Sequence, residues 1–229
     1  MEKTLIVANW KENFTTAEAK RWVEGLNKEL GIRNCGKTEI VVCSPSVLLP
    51  VLHSSFIIHN SFFRLGAQDV SKFEEGQYTG EVSAKMLKDF VDYVIVGHSE
   101  RREHFGETDE DVKLKVEQCL KHGLTPIVCV SKIEQALADK AIFAYEPLSA
   151  VGTGEPDTPE NAQKFAQEIK AKVGQDVRVL YGGSVNAENA KSFVSQLDIS
   201  GVLVGQASLD PKGFARLCSS GFQSATGAN

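Results

Sequence analysis

The sequence predicts an α/β domain of eight β/α units, a parallel sheet wrapped by crossover helices. Three observations predict it. Short β-branched runs alternate with segments of helical period from one end of the chain to the other. Several of these runs are apolar at consecutive rather than alternate positions, as strands covered on both faces are. No composition shift or low-complexity linker divides the 229 residues, so one domain fits a length that alone would allow one or two.

The elements follow in order. Leu5–Ala8 is the first strand, and after it Thr15 with Glu18 forms a capping-box pattern ahead of a helix whose Trp22, Val23, Leu26 and Leu30 share one face. Strands are predicted at Ile40–Cys43, Leu65–Gln68 and Tyr93–Val96, and Thr108 caps the helix before the strand Pro126–Val130. Ile142–Tyr145 is the sixth strand. Thr158 followed by Pro159 opens a helix with Ala162, Phe165, Ala166, Ile169 and Val173 inward, and Val177–Tyr181 follows it. Asn186 caps the next helix, Val202–Val204 is the last strand, and Asp210 with Pro211 opens the final helix. The Ser/Gly/Ala-rich stretch after Gly221 reads as a tail. Residues 1–221 are thus expected to form the domain and 222–229 to fray.

Composition excludes several classes of function. With 25 Lys and Arg against 30 Asp and Glu, the net charge of −5 gives no basic footprint, so neither nucleic acid nor an anionic membrane is expected as a partner. No run approaches the ~18 apolar residues of a membrane span, and Leu5–Ala8 is too short for a signal-peptide core, so a cytoplasmic protein is expected. The five cysteines, Cys35, Cys43, Cys119, Cys129 and Cys218, are scattered without a C-x-x-C pair. They suggest reduced, buried thiols and no zinc site or disulfide framework.

Eight β/α units make either a closed barrel or a large open doubly wound sheet. No G-x-G-x-x-G follows the first strand, where a dinucleotide site would need it, so the barrel is preferred. In a parallel barrel the chemistry stands just past the C-terminal ends of strands. There the sequence places Asn9 and Lys11, His98 and Glu100, and Glu146. Glycine-rich turns stand at Val151–Gly154, Tyr181–Ser184 and Val204–Ala207. Singly, a histidine at a strand end is more often structural, a lysine a solvated charge and a glycine pair a tight turn. Together they bring an amide, a cation, an imidazole and a carboxylate to one barrel mouth beside turns able to cradle a phosphate.

The blocks Asn9-Trp10-Lys11, Gly66-Ala67-Gln68-Asp69, Tyr78-Thr79-Gly80-Glu81, Gly97-His98-Ser99-Glu100-Arg101-Arg102, Ala144-Tyr145-Glu146-Pro147, Gly152-Thr153-Gly154 and Tyr181-Gly182-Gly183-Ser184 stand in this order along nearly the whole chain. In this they resemble the triosephosphate isomerase family. The resemblance implies a single (β/α)8 TIM barrel and an aldose–ketose isomerase of glycolysis and gluconeogenesis, acting on a phosphorylated triose through an enediolate without cofactor or metal. It implies Glu146 as base, His98 as neutral electrophile and Lys11 as substrate-binding cation. Asn9, Gly152, Ser184, Gly205 and Gln206 match substrate-binding positions, and Glu100 is implied to orient Lys11 or to shuttle a proton. It implies a lid over Pro147–Asp157 and a homodimer in which Thr79 approaches the partner. The alternative is a catalytically silent barrel that only binds a phosphorylated metabolite.

The chain departs from that pattern in places. Residues 130–140 give the fifth crossover only 11 positions, close to the minimum of roughly 10–12 for a parallel connection, so a shortened fifth helix is expected. The flank left thin there would favour a higher oligomer. Ser131-Lys132 stands where relatives carry a Gly-Glu pair, Leu148-Ser149 replaces the usual aliphatic residue and tryptophan of the lid, and Gln206 replaces a glycine of the phosphate cup.

Overall fold

The computed structural model describes residues 3–31, 38–58, 63–138, 140–148 and 155–219. Eight strands form the sheet: β1 (Thr4–Asn9), β2 (Thr38–Ser44), β3 (Phe63–Ala67), β4 (Tyr93–Val96), β5 (Thr125–Val130), β6 (Ile142–Tyr145), β7 (Val179–Tyr181) and β8 (Gly201–Val204). Each pairs in parallel with the next, and β8 returns to β1 to close the barrel. The predicted tail lies outside the described residues.

Alternate strand residues serve two separate cores. Leu5, Val7, Val41, Cys43, Ile95, Ile127, Cys129, Ala144, Leu180 and Leu203 form one cluster, the side chains filling the barrel. Their neighbours Ile6, Ala8, Ile40, Val42, Val94, Val96, Val128, Phe143, Val179 and Val202 belong to the larger cluster beneath the helices. This division is why the strands read as unbroken apolar runs. At the closing seam only glycine fits, because a Cβ on Gly201 would stand 1.9 Å from the Leu5 carbonyl oxygen.

The helices among the described residues are α1 (Thr16–Leu30), α2 (Leu49–Ile58), α3 (Ala84–Leu87), α4 (Ser99–Phe105), α5 (Asp109–Lys121), α6 (Pro159–Val173), α7 (Ala190–Val194) and α8 (Pro211–Ser219). Thr15, Thr108 and Thr158 cap α1, α5 and α6 with their side chains, as their sequences predict. Asn186 behaves differently. Its Oδ1 accepts the backbone N–H groups of Glu188 and Asn189, building a turn, and α7 begins later, at Ala190. Phe165 and Val173 of α6 are half-buried rather than fully inward. The third strand runs Phe63–Ala67, which leaves Gln68 just beyond its end.

The expected short fifth helix is shorter still. Between β5 and β6 the described residues hold a single 3-10 turn, Ile133–Gln135, and no α-helix, whereas the β4–β5 connection holds two, α4 and α5. Eleven residues minus the turns at either end leave no room for a hydrogen-bonded α-helix of useful length. A groove of about 200 Å³ is left between α5 and this connection, lined by Val112, Val116, Leu120, Val128 and Leu137. Leu120 and Leu137 stay exposed at its edge. No helix among the described residues is long and apolar enough to cross a membrane. The four described cysteines, Cys43, Cys119, Cys129 and Cys218, are buried thiols, and Cys35 lies outside the described residues.

Candidate active site

Five strand ends meet over one cavity of about 380 Å³, whose lining includes Asn9, Lys11, His98, Glu146, Ser184, Gly205 and Gln206. Asn9 ends β1 and is buried, and its Oδ1 accepts the Lys11 N–H at 3.0 Å. Lys11 has a φ of 52°, a left-handed backbone rare for a side chain of its size. Its ammonium reaches Glu100 Oε1 at 2.5 Å. Burial works to raise the Glu100 carboxyl, but the hydrogen bond and charge of Lys11 outweigh it and hold the group below the usual carboxylate range.

His98 stands one residue past the β4 turn, at the N-cap of α4, and its Nδ1 accepts the Glu100 N–H at 3.2 Å. A ring nitrogen that accepts a hydrogen bond does so through its lone pair, which leaves Nε2 as the nitrogen facing the cavity side. Nε2 points across the mouth to Glu146 Oε1, 3.1 Å away.

Glu146 follows β6 directly and is 2% exposed. Its Oε2 accepts the Ser99 N–H at 2.8 Å, in the first turn of α4, where the helix dipole favours a carboxylate. Oε1 accepts no hydrogen bond among the described residues. A buried carboxylate with one oxygen held by an amide and the other beside the His98 imidazole is arranged to take a proton. Beneath it, burial first and the Glu146 charge second push the Cys129 thiol far above its ordinary range.

The glycine turns close the other wall. A Cβ on Gly182 would come within 3.2 Å of Glu146 Cγ, and one on Gly183 would stand 2.3 Å from the Tyr181 hydroxyl oxygen, so the turn after β7 can lie flat against the barrel only as glycine. After β8, Gly205 lies beneath the Lys11 side chain, with Cε 3.4 Å from the position a Cβ would take. The 3-10 turn that starts at Gln206 follows directly. A cation over two glycine turns suits a phosphate. Among the described residues no group of three or more His, Cys, Asp or Glu side chains is placed to hold a metal ion.

Of the residues expected in the site, Asn9, Lys11, His98, Glu146, Ser184, Gly205 and Gln206 line this one cavity, and Glu100 touches it through Lys11. Thr79 is exposed on the segment after β3, and Gly152 lies outside the described residues together with Ser149 and most of the expected lid. The return end of that connection is described. The Asp157 N–H donates to the Tyr181 hydroxyl at 2.8 Å, and its carboxylate accepts from Tyr145 at 3.2 Å. Reading residues by their side chains missed Ser99, which acts through its backbone amide.

The model of the family described as "Triosephosphate isomerase" matches residues 4–140 and 131–221. The two matched segments overlap at the short β5–β6 connection. Proteins named "Triosephosphate isomerase" are similar along nearly their full length. That of Trichodesmium erythraeum (strain IMS101) is 42% identical over 240 aligned positions, covering 95% of this chain and 98% of the relative. Those of Mesomycoplasma hyorhinis and Aquifex aeolicus (strain VF5) are 39% and 38% identical, covering 95% and 94% of this chain and 98% of each relative.

Proposed function

Because the chain belongs to the triosephosphate isomerase family, we propose that it interconverts D-glyceraldehyde 3-phosphate and dihydroxyacetone phosphate. The observation that supports this reading is Glu146 Oε1 within 3.1 Å of His98 Nε2, in one cavity with Lys11 and the glycine turns. The reaction moves a proton between adjacent carbons without changing the oxidation level of the molecule. A base, donors for the developing oxyanion and a closed site are enough, and no cofactor or metal enters the scheme.

Glu146 takes the proton from the carbon beside the carbonyl, and the electron pair of the broken C–H bond passes into the enediolate. His98, a neutral imidazole in this scheme whose Nδ1 accepts from the Glu100 amide, donates from Nε2 to the oxygen that gains charge and moves the proton between the two oxygens. Delivery of the carbon proton from Glu146 to the neighbouring carbon completes the exchange. The pairing of a carboxylate base with a neutral imidazole is the known pattern of this family and is taken from it. Lys11 balances the substrate's charge, Asn9 hydrogen-bonds its oxygens, and Ser184, Gly205, Gln206 and Gly152 surround the phosphate. Glu100 holds the Lys11 ammonium.

The triose is the small phosphorylated substrate of a cytoplasmic enzyme of glycolysis and gluconeogenesis. The chain works as a homodimer with Thr79 at the contact, and the groove beside α5 is the surface left for a higher oligomer. A coupled assay on the wild-type protein with glyceraldehyde 3-phosphate tests the activity, and the Glu146→Gln variant tests the mechanism. Turnover should fall by at least ~10²- to 10⁴-fold in the variant while inorganic phosphate still binds. A wild type that binds phosphate without turnover would identify a silent binding barrel, and a variant with unchanged turnover would remove Glu146 from the role of base.

A further inference from the structure

We propose that Trp22 is a positioning residue for the anion-binding wall, joining the turn after β1 that carries Lys11 to the turn after β8 that carries Gly205 and Gln206. Those two turns need a link of their own. The sheet pairs β1 with β8 as far as Ala8 and Val204 and ends there, so it does not fix the distance between the residues beyond. Trp22 stands outside the cavity lining, on the buried face of α1. An indole nitrogen can only donate, and a buried one needs an acceptor. The Trp22 Nε1 hydrogen goes to the Ser208 carbonyl oxygen at 3.0 Å.

Ser208 passes that hold on to the anion-binding turn. It is fully buried, and its N–H and its hydroxyl both donate to the Gly205 carbonyl, at 2.8 and 2.7 Å. The Leu209 N–H donates to the Gln206 carbonyl at 3.1 Å. A 3-10 turn of three residues has too few bonds of its own to be rigid, so the outside bond from Trp22 matters. The ring of Trp22 makes the second connection. It meets Trp10, the residue directly before Lys11, edge-on at 4.8 Å, and lies tilted against Phe214 of α8 at 5.8 Å. One side chain therefore touches both the β1 turn and the residue that closes the β8 turn. Gly25, three residues further along α1, lets the helix come this near: a Cβ there would stand 3.1 Å from Pro211 Cγ, at the start of α8.

The proposal rests on the isomerase reading for its kinetic part alone. Trp22→Phe keeps an aromatic ring against Trp10 and Phe214 and removes the N–H. It should raise KM about fivefold, the change expected of one hydrogen bond, with a smaller change in kcat. Calorimetric binding of inorganic phosphate should weaken by a similar factor. Gly25→Ala reaches the same contact by another route, since a methyl group against Pro211 pushes α1 off the connection while the indole stays intact. It should shift KM and phosphate affinity in the same direction, and adding it to Trp22→Phe should cost less than about twofold more, because both act through one contact. A Trp22→Phe protein that melts lower but keeps wild-type KM and phosphate affinity, assayed well below its transition, would overturn the proposal. So would losses in the two variants that simply multiply. Should Trp22→Phe fail to fold, Gly25→Ala carries the same expectations for KM and phosphate. A wild type that binds phosphate without turnover would count against the proposed reaction and leave the phosphate comparison standing.

Discussion

Asp69 is a side chain on which burial and ion pairing pull in opposite directions. It shares a half-buried cluster with Lys115, Arg101 and Glu107, two carboxylates and two cations in which Lys115 also contacts Glu107. Burial pushes the Asp69 carboxyl above its ordinary range; Lys115 and Arg101 pull it down and Glu107 adds to the rise. An acid with a raised folded pKa contributes stability that is present below its unfolded pKa and is lost as pH rises through the folded one. Asp69→Asn should therefore melt higher than wild type at pH 8, with the gap closing as pH falls toward the ordinary carboxylate range. A variant that melts lower at pH 8 would mean that the ion pairs outweigh burial. Legibility in the sequence divides along the same line of chemistry. His98 and Glu146 can be read because an imidazole and a carboxylate fall just past strand ends together with Asn9 and Lys11, in specific motifs. Ser99 acts through a backbone amide, a property not written in residue type.

At the scale of elements, the strands and the helix caps are legible because both rest on local rules. Consecutive apolar runs follow from cores on two faces, and Thr15, Thr108 and Thr158 satisfy the first turns of their own helices. What is not local is lost. Nothing near residue 201 announces that it must be glycine, since the atom that forbids a side chain is the carbonyl oxygen of Leu5, at the other end of the chain. Gly201→Ala should cost more than ~3 kcal/mol, the upper range for overpacking, because the obstacle is backbone in the seam that closes the sheet. Denaturant unfolding checks it, and a wild-type midpoint would show that β8 can shift away from β1. The β5–β6 connection is legible as short from its residue count. Where the sequence predicts a short helix, the described residues hold a 3-10 turn, because the turns at either end use up the few positions available.

At the scale of the molecule, the segment after β3 is braced before any partner arrives. Besides Asp69, Lys72 pairs with Asp111 at 2.5 Å and Glu74 with Lys121 at 2.6 Å, so α5 holds it along one side. Phe73 and Tyr78 stack at 3.7 Å within it, and the tip at 75–81 is exposed. Such a tip is formed and available to dock on a second copy. Thr79→Arg should lower the mass in solution to that of one chain and depress turnover together, as light scattering beside the coupled assay would record. A fully active single chain would refute the assembly. Exposed pairs of this kind contribute little each, on the order of 0–1 kcal/mol, so the brace shapes the segment more than it stabilises the barrel.

The short β5–β6 connection also changes the distances the unfolded polypeptide must bridge. Ile127 meets Ile142 across fifteen residues, whereas Leu5 and Gly201 are brought together from almost opposite termini. The entropy lost on joining two points of a chain grows with the logarithm of the length between them. The abbreviated β5–β6 neighbours thus carry the smallest closure entropy of the ring and the β1–β8 seam the largest, a spread that a uniform eightfold repeat would narrow.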